Sequence, residues 1–139
     1  MTLRPAPASA RLVALDYEIA QDQASALGRL GRALEAALAA LTEHDRAAAH
    51  DAVHDAGGHA PGDGGAADRV DNNAPAENRA ARARLVQQAS HALWCYMVQR
   101  ESCGLRDPRP VIRDYRIPVE VQNRMGMMPA PPSRRRSAP

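Results

Sequence analysis

LGRLGRALEAALAAL, residues 27–41, is the stretch on which the fold turns. Leu27, Leu30, Leu34, Leu38 and Leu41 recur at spacings of three and four, which sets them on one stripe of an α-helix. Ile19 prolongs the stripe toward the N-terminus. Asp16, Glu18 and Asp22 lie near the start, where acids complement the helix dipole. A helix is therefore predicted over 14–41. Gly28 and Gly31 each cost about 1 kcal/mol relative to alanine inside a helix, and with the many alanines they permit a partner helix to come close.

Working outward, TEHDRAAAHDAVHDA (42–56) has helix propensity but no large apolar residue beyond Val53. Either the helix ends near 41, or it continues as an exposed arm to Ala56 and stops at Gly57-Gly58. Residues 57–75, GGHAPGDGGAADRVDNNAP, are dense in Gly, Asp and Asn and read as a flexible linker. A second helix opens near Pro75 or Glu77 and runs through Cys103. On it Leu85, Ala89, Ala92 and Tyr96 form one line, and Val86, Leu93 and Met97 form its neighbour. Gly104 followed by Leu105 has the order of a Schellman ending.

The expected fold is all-α. Two helices of about 40 Å each form an antiparallel hairpin that buries both apolar faces. Beyond them, Asp107-Pro108 reads as an N-cap with proline at the first helical position, starting a short helix with Val111, Ile112 and Tyr115. Ile117-Pro118 opens a second short helix through Met125, closed by Gly126. The alternation of Val111, Tyr115 and Ile117 leaves a strand over 111–117 as the alternative. The short helices need a surface to persist on. Trp94, in the apolar run LWCYMV, is expected to be buried where they fold back, meeting Val111, Ile112 or Tyr115. The organisation is then a disordered N-terminus (1–12), one helical domain (13–126) interrupted by the linker at about 57–75, and a disordered basic Pro/Arg tail (127–139).

Composition limits the core. Of the apolar residues 29 are alanine, Leu, Ile and Val number only 22, and Phe is absent, so a small helical core with loose flanks fits best. Such a core is marginal alone and invites self-association. All 18 basic residues are arginine. Residues 1–75 hold 6 Arg against 11 acids and residues 76–139 hold 12 against 5, a front half at −5 and a back half at +7 that can attract one another. Cys95 and Cys103, about 12 Å apart on one helix, cannot bridge each other. Free thiols, with no signal peptide and no apolar run of spanning length, give a cytoplasmic expectation without a membrane role.

His44 to His59, HDRAAAHDAVHDAGGH, gathers four histidines and three aspartates. On a continued helix His50 and His54 share a face and are the candidate metal ligands. No apolar residue nearby would hold a third ligand, so no metal or other cofactor is expected. His91 stands one turn before Cys95, but no third group orients the pair, and Cys103 sits at a helix C-terminus, where the dipole opposes a thiolate. No enzyme is expected. The C-terminal segment has helix–turn–helix proportions: Glu120, Gln122, Asn123 and Arg124 could read base edges, and Arg100, Arg106, Arg109, Arg113 and Arg116 could contact phosphates. Alternating Arg and acids, and the packing demands of Val119, Val121 and Met125, favour an internal salt-bridge network instead.

LDYEIA, LGRLGRALEAAL, VQRESCGLRD and VIRDYRIPVEVQNRMG resemble a family of small bacterial proteins known only as a domain of unknown function. The resemblance covers about 14–41 and 85–126, implies no activity, and sets the 57–75 linker apart as this chain's own departure. The function expected is a non-catalytic protein–protein interaction module, a homodimer through Leu27, Leu30, Leu34, Leu38 and Leu41, because that stripe outruns what one hairpin covers. The alternative is a small Arg-rich nucleic-acid-binding protein using Arg106, Arg109, Arg113, Arg116 and Arg124. Residues 57–75 contain no apolar periodicity to offset ordering entropy. Limited proteolysis should cut there first, and their deletion should leave the thermal midpoint nearly unchanged; a fall of many degrees would show that the segment is structural.

Overall fold

A computed structural model describes residues 8–56 and 74–127. Residues 1–7, 57–73 and 128–139 lie outside the described residues, and with them most of the expected linker, His59, the first seven residues of the expected N-terminal tail and all but Met127 of the C-terminal one. The elements are α1 (Ala8–Ala56), α2 (Ala74–Ser102), α3 (Arg109–Asp114) and α4 (Val119–Asn123), with no strand among the described residues. The fold is all-α, with two long helices and two short ones.

α1 outruns the leucine stripe at both ends. TEHDRAAAHDAVHDA continues the helix to Ala56, braced by Arg46 donating to Glu43 one turn away at 2.8 Å. Ala8–Leu12, expected to be disordered, is helical as well. Once a helix exists, adding a residue needs no new nucleus, and Ala8, Ala10, Arg11 and Leu12 are good helix formers.

α2 starts at Ala74 with Pro75 in its first turn, where the missing N–H costs nothing. Its end is the Schellman motif that Gly104 announces. Gly104 has φ +81°, its N–H donates to Glu101 O at 2.9 Å, and Leu105 N–H donates to Arg100 O at 2.9 Å. The same pattern closes α3: Arg116 N–H donates to Arg113 O and Ile117 N–H to Ile112 O. There the left-handed position holds Arg116 at φ +50° instead of a glycine, a strain of about 1 kcal/mol.

The strand alternative over 111–117 is overturned by α3. Proline locks φ near the helical value, and Pro108 and Pro110 sit where α3 begins. Pro108, rather than Asp107, holds the cap position, yet the Asp107 carboxylate still accepts the Arg109 N–H at 3.0 Å.

One core holds these helices. Leu34 and Leu41 of α1 and Val86, Ala89, Leu93 and Tyr96 of α2 are buried with Val111, Ile117 and Val121 from the C-terminal segment. Gly31 is a close-approach position: a Cβ there would lie 3.3 Å from the Tyr115 hydroxyl and 3.4 Å from the Tyr96 ring. Gly28 has no such neighbour, since only its own helix's Arg32 comes within 4 Å.

Trp94 corrects the expected burial. It is 43% exposed, stacked on His91 and lying against Gly126. The C-terminal segment meets α2 through Leu93, Ser90 and Tyr96, which leave Trp94, 100° round the helix from Leu93, at the edge of the contact. Tyr115 finds Tyr96 instead, with ring centroids 5.7 Å apart and edge-on. Leu93→Ala should therefore cost 2–5 kcal/mol, in the range of cavity-forming changes. Trp94→Ala should cost about 1 kcal/mol or less, as at exposed positions. Urea denaturation of both variants decides it: equal losses would show that Trp94 carries core packing.

Candidate functional site

Three surfaces hold the residues that could act. The first is an open cleft of about 570 Å³ lined by Glu35, Tyr96, Arg100, Pro110, Asp114 and Tyr115. Tyr96 and Tyr115 converge there because Gly31 leaves α1 room for both rings. A hydrogen bond with Tyr96, reinforced by burial, pushes the Tyr115 phenol up to about 12, so it stays protonated at neutral pH. The Arg100 guanidinium lies 5.9 Å from the Tyr96 ring centroid and donates to Asp107 O at 3.3 Å, while its Nε is buried without a partner. Asp114 accepts from Arg113 at 2.9 Å. The cleft presents hydrogen-bond donors and carboxylates but no thiol, imidazole or aliphatic hydroxyl as a nucleophile.

The second surface is the front of α1. Every residue from Ser9 to Asp22 is exposed, Leu12, Val13, Leu15, Tyr17 and Ile19 among them. Eleven residues make almost three whole turns of an α-helix, so positions eleven apart fall in line. Ile19 thus lies in line with Leu30 and Leu41, and Leu12 in line with Gln23 and Leu34. The line that is core at Leu34 and Leu41 is exposed at Leu12 and Ile19. The difference is cover. Gly31 meets Tyr96 of α2, and α2 turns away at Gly104 only eight residues later.

The third surface is the C-terminal pair of short helices. Glu120, a candidate for reading base edges, is held by Arg82 of α2, whose Nη1 donates to Glu120 Oε2 at 2.9 Å. The same guanidinium grips Asp45 of α1 through Nε at 2.7 Å and Nη2 at 3.1 Å. Arg82 thus joins three helices with a forked, charge-assisted contact to two carboxylates. Both acids are held below the ordinary carboxylate range, first by the hydrogen bond from Arg82. Gln122, another candidate, donates to Ile117 O at 2.8 Å. Among the arginines proposed for phosphate contacts, Arg109 pairs with Asp107 and Arg113 with Asp114, whereas Arg106, Arg116 and Arg124 are exposed.

The remaining candidates stand apart. Of the leucine stripe, Leu34 and Leu41 are in the core, and Leu27, Leu30 and Leu38 pack against it half-buried. His50 and His54 do share a face, with ring centroids 4.6 Å apart, on an exposed part of α1. Among the described residues no group of three or more His, Cys, Asp or Glu is placed to hold a metal ion. Cys95 Sγ contacts His91 Nε2 at 3.6 Å, and both cysteines are free thiols. No helix is long and apolar enough to cross a membrane among the described residues. Sequence reasoning missed the Arg82 clamp, whose partners lie 37 and 38 residues away. It also missed the Tyr96–Tyr115 contact; the one available signal was Gly31, a small residue facing two bulky ones.

Residues 47–134 match the model of a protein family described as a family of unknown function. The match takes in the 85–126 part of the resemblance and residues 57–75, and it leaves 14–41 outside. No curated protein and no solved structure matches the chain.

The Arg82 clamp has a pH signature. A carboxyl whose folded pKa lies below its ordinary value stabilises the fold above that value, and the stability is lost as pH falls through the folded one. Asp45 and Glu120 both have lowered values, so their contribution is present at neutral pH and disappears in acid. Arg82→Met should cost about 1 kcal/mol at pH 7, since the three side chains are partly exposed. The gap to wild type in thermal midpoint should close below about pH 4, where ordinary carboxylates protonate. A gap that stays constant down to pH 3 would mean that Arg82 acts by packing alone.

Proposed function

The chain belongs to this family of unknown function, DUF6665, and we propose that it serves as a non-catalytic helical module that binds another protein through the front of α1. The observation that carries this reading is a run of fourteen exposed residues, Ser9–Asp22, holding five large apolar side chains, of which Leu12 and Ile19 lie in line with the core stripe. Scattered apolar residues on a surface are ordinary, but apolar residues that prolong a core stripe into water mark a place where something docks.

The scaffold suits such a task. Gly31 meets Tyr96 and Asp45 meets Arg82, pairings that support reading α1 and α2 as an antiparallel hairpin. A hairpin that projects one helix past the end of the other presents a preformed groove-filling element, a recognised mode of helix-mediated binding. The binding element also stays helical through being one piece with a supported helix, which lowers the ordering cost of association.

A photocrosslinking residue placed at 15 or 19 in the full chain, expressed in cells, should give discrete protein adducts. The same residue at Ala36, exposed farther along α1, should not. Adducts from neither position 15 nor 19, or equal adducts from all three, would remove this surface as the binding site.

A further inference from the structure

We infer that the occupant of the α1 front is a second copy of this chain, paired antiparallel through Leu12, Leu15 and Ile19; this rests on the front of α1 being the binding surface. The argument begins with the charges bordering that face. Arg11, Glu18 and Asp22 lie along one edge of it, all exposed, with Arg11 at the N-terminal end and the two acids at the C-terminal end. In an antiparallel helix pair related by a two-fold axis, like edges face each other. Running the copies antiparallel about a point near Leu15 sets Leu12 opposite Ile19 of the other copy. It brings Arg11 between Glu18 and Asp22 of that copy, and the symmetry makes the contact twice. A parallel pair would instead set this edge against the opposite one, leaving Arg11 only Asp16 of the other copy and Glu18 and Asp22 facing no basic residue of that helix. The antiparallel direction pairs all three of these edge charges, and the parallel one pairs only Arg11.

Continuity gives the second line of support. Leu12 and Ile19 extend the stripe that α2 covers at Leu34 and Leu41. A second α1 laid on the front therefore carries on the same helix-on-helix packing where α2 stops. The uncovered stretch of fourteen residues is about 21 Å long at 1.5 Å per residue. Pairing it removes on the order of 1,000 Å² of surface, near the lower bound for a specific interface. The dimer is accordingly a weak one, dissociating in the micromolar range. Asp16, on the opposite edge, lies close to its own symmetry mate in this register, so it opposes the pair and Asp16→Asn tightens it.

Sedimentation equilibrium of the purified full chain tests the pairing, with circular dichroism confirming that each variant keeps its helix content. A reversible dimer is expected. Leu15→Asp with Ile19→Asp should abolish it. Arg11→Glu should weaken it about tenfold, as a loss of paired interface charge does. Adding Glu18→Arg and Asp22→Arg to Arg11→Glu should restore it, because the edge is then complementary with its signs exchanged. A chain that stays monomeric at hundreds of micromolar overturns the inference, as does a dimer indifferent to the Leu15 and Ile19 changes or one that the charge exchange fails to rescue. A monomer whose positions 15 and 19 still crosslink in cells to a protein of another mass leaves the binding surface standing and removes only the second copy. Loss of both results removes both.

Discussion

The structure depends on α2 being covered from two directions at once. Ala89 and Ser90, adjacent at the middle of the helix, are both fully buried. Ala89 belongs to the arc that meets Leu34 and Leu41 of α1, and Ser90 reaches the C-terminal segment. The Ser90 hydroxyl lies 2.7 Å from Val86 O, one turn back on its own helix, and 3.0 Å from Val121 O in α4. Small side chains at these points let backbones approach, and the hydroxyl meets a carbonyl that a helix of five residues leaves at its end. A buried polar group is tolerated when it is bonded, and this one also ties the last element to the centre.

Around that centre, small helices become stable that would not persist alone. α3 and α4 have six and five residues, too short to hold their own hydrogen bonds in water. They stay because Val111, Ile117 and Val121 are buried in the common core and because Arg82 grips Glu120. Arg116 in the left-handed conformation is part of the cost of turning so tightly between them. The opposite net charges of the two halves of the chain find one expression here, where a basic residue of α2 meets Asp45 from the acidic half.

The front of α1 shows the same stripe without its cover. Leu34 is buried, and Leu12, in line with it, is 62% exposed. Nothing in the chemistry of the two side chains differs; what differs is whether another helix lies on them. The Tyr96–Tyr115 cleft, by contrast, is polar and has its own cation in Arg100. An exposed apolar surface and a polar cleft thus sit on adjoining parts of one helix.

By itself the sequence determined the helices and most of the core. Leucines spaced by three and four mark α1, Gly104 ends α2, and the prolines at 108, 110 and 118 start the short helices, because each of these signals acts within a turn or two of backbone. The lines through Leu85–Tyr96 and Val86–Met97 were legible for the same reason, and they are the core face of α2. Only the tertiary structure decided which part of a continuous stripe is covered, that Arg82 joins Asp45 and Glu120, and that Tyr96 rather than Trp94 receives the C-terminal segment. Those outcomes depend on where one helix ends against another and on side chains dozens of residues apart. Local spacing gives the direction in which a residue points along its own helix, and it holds no information about what stands opposite.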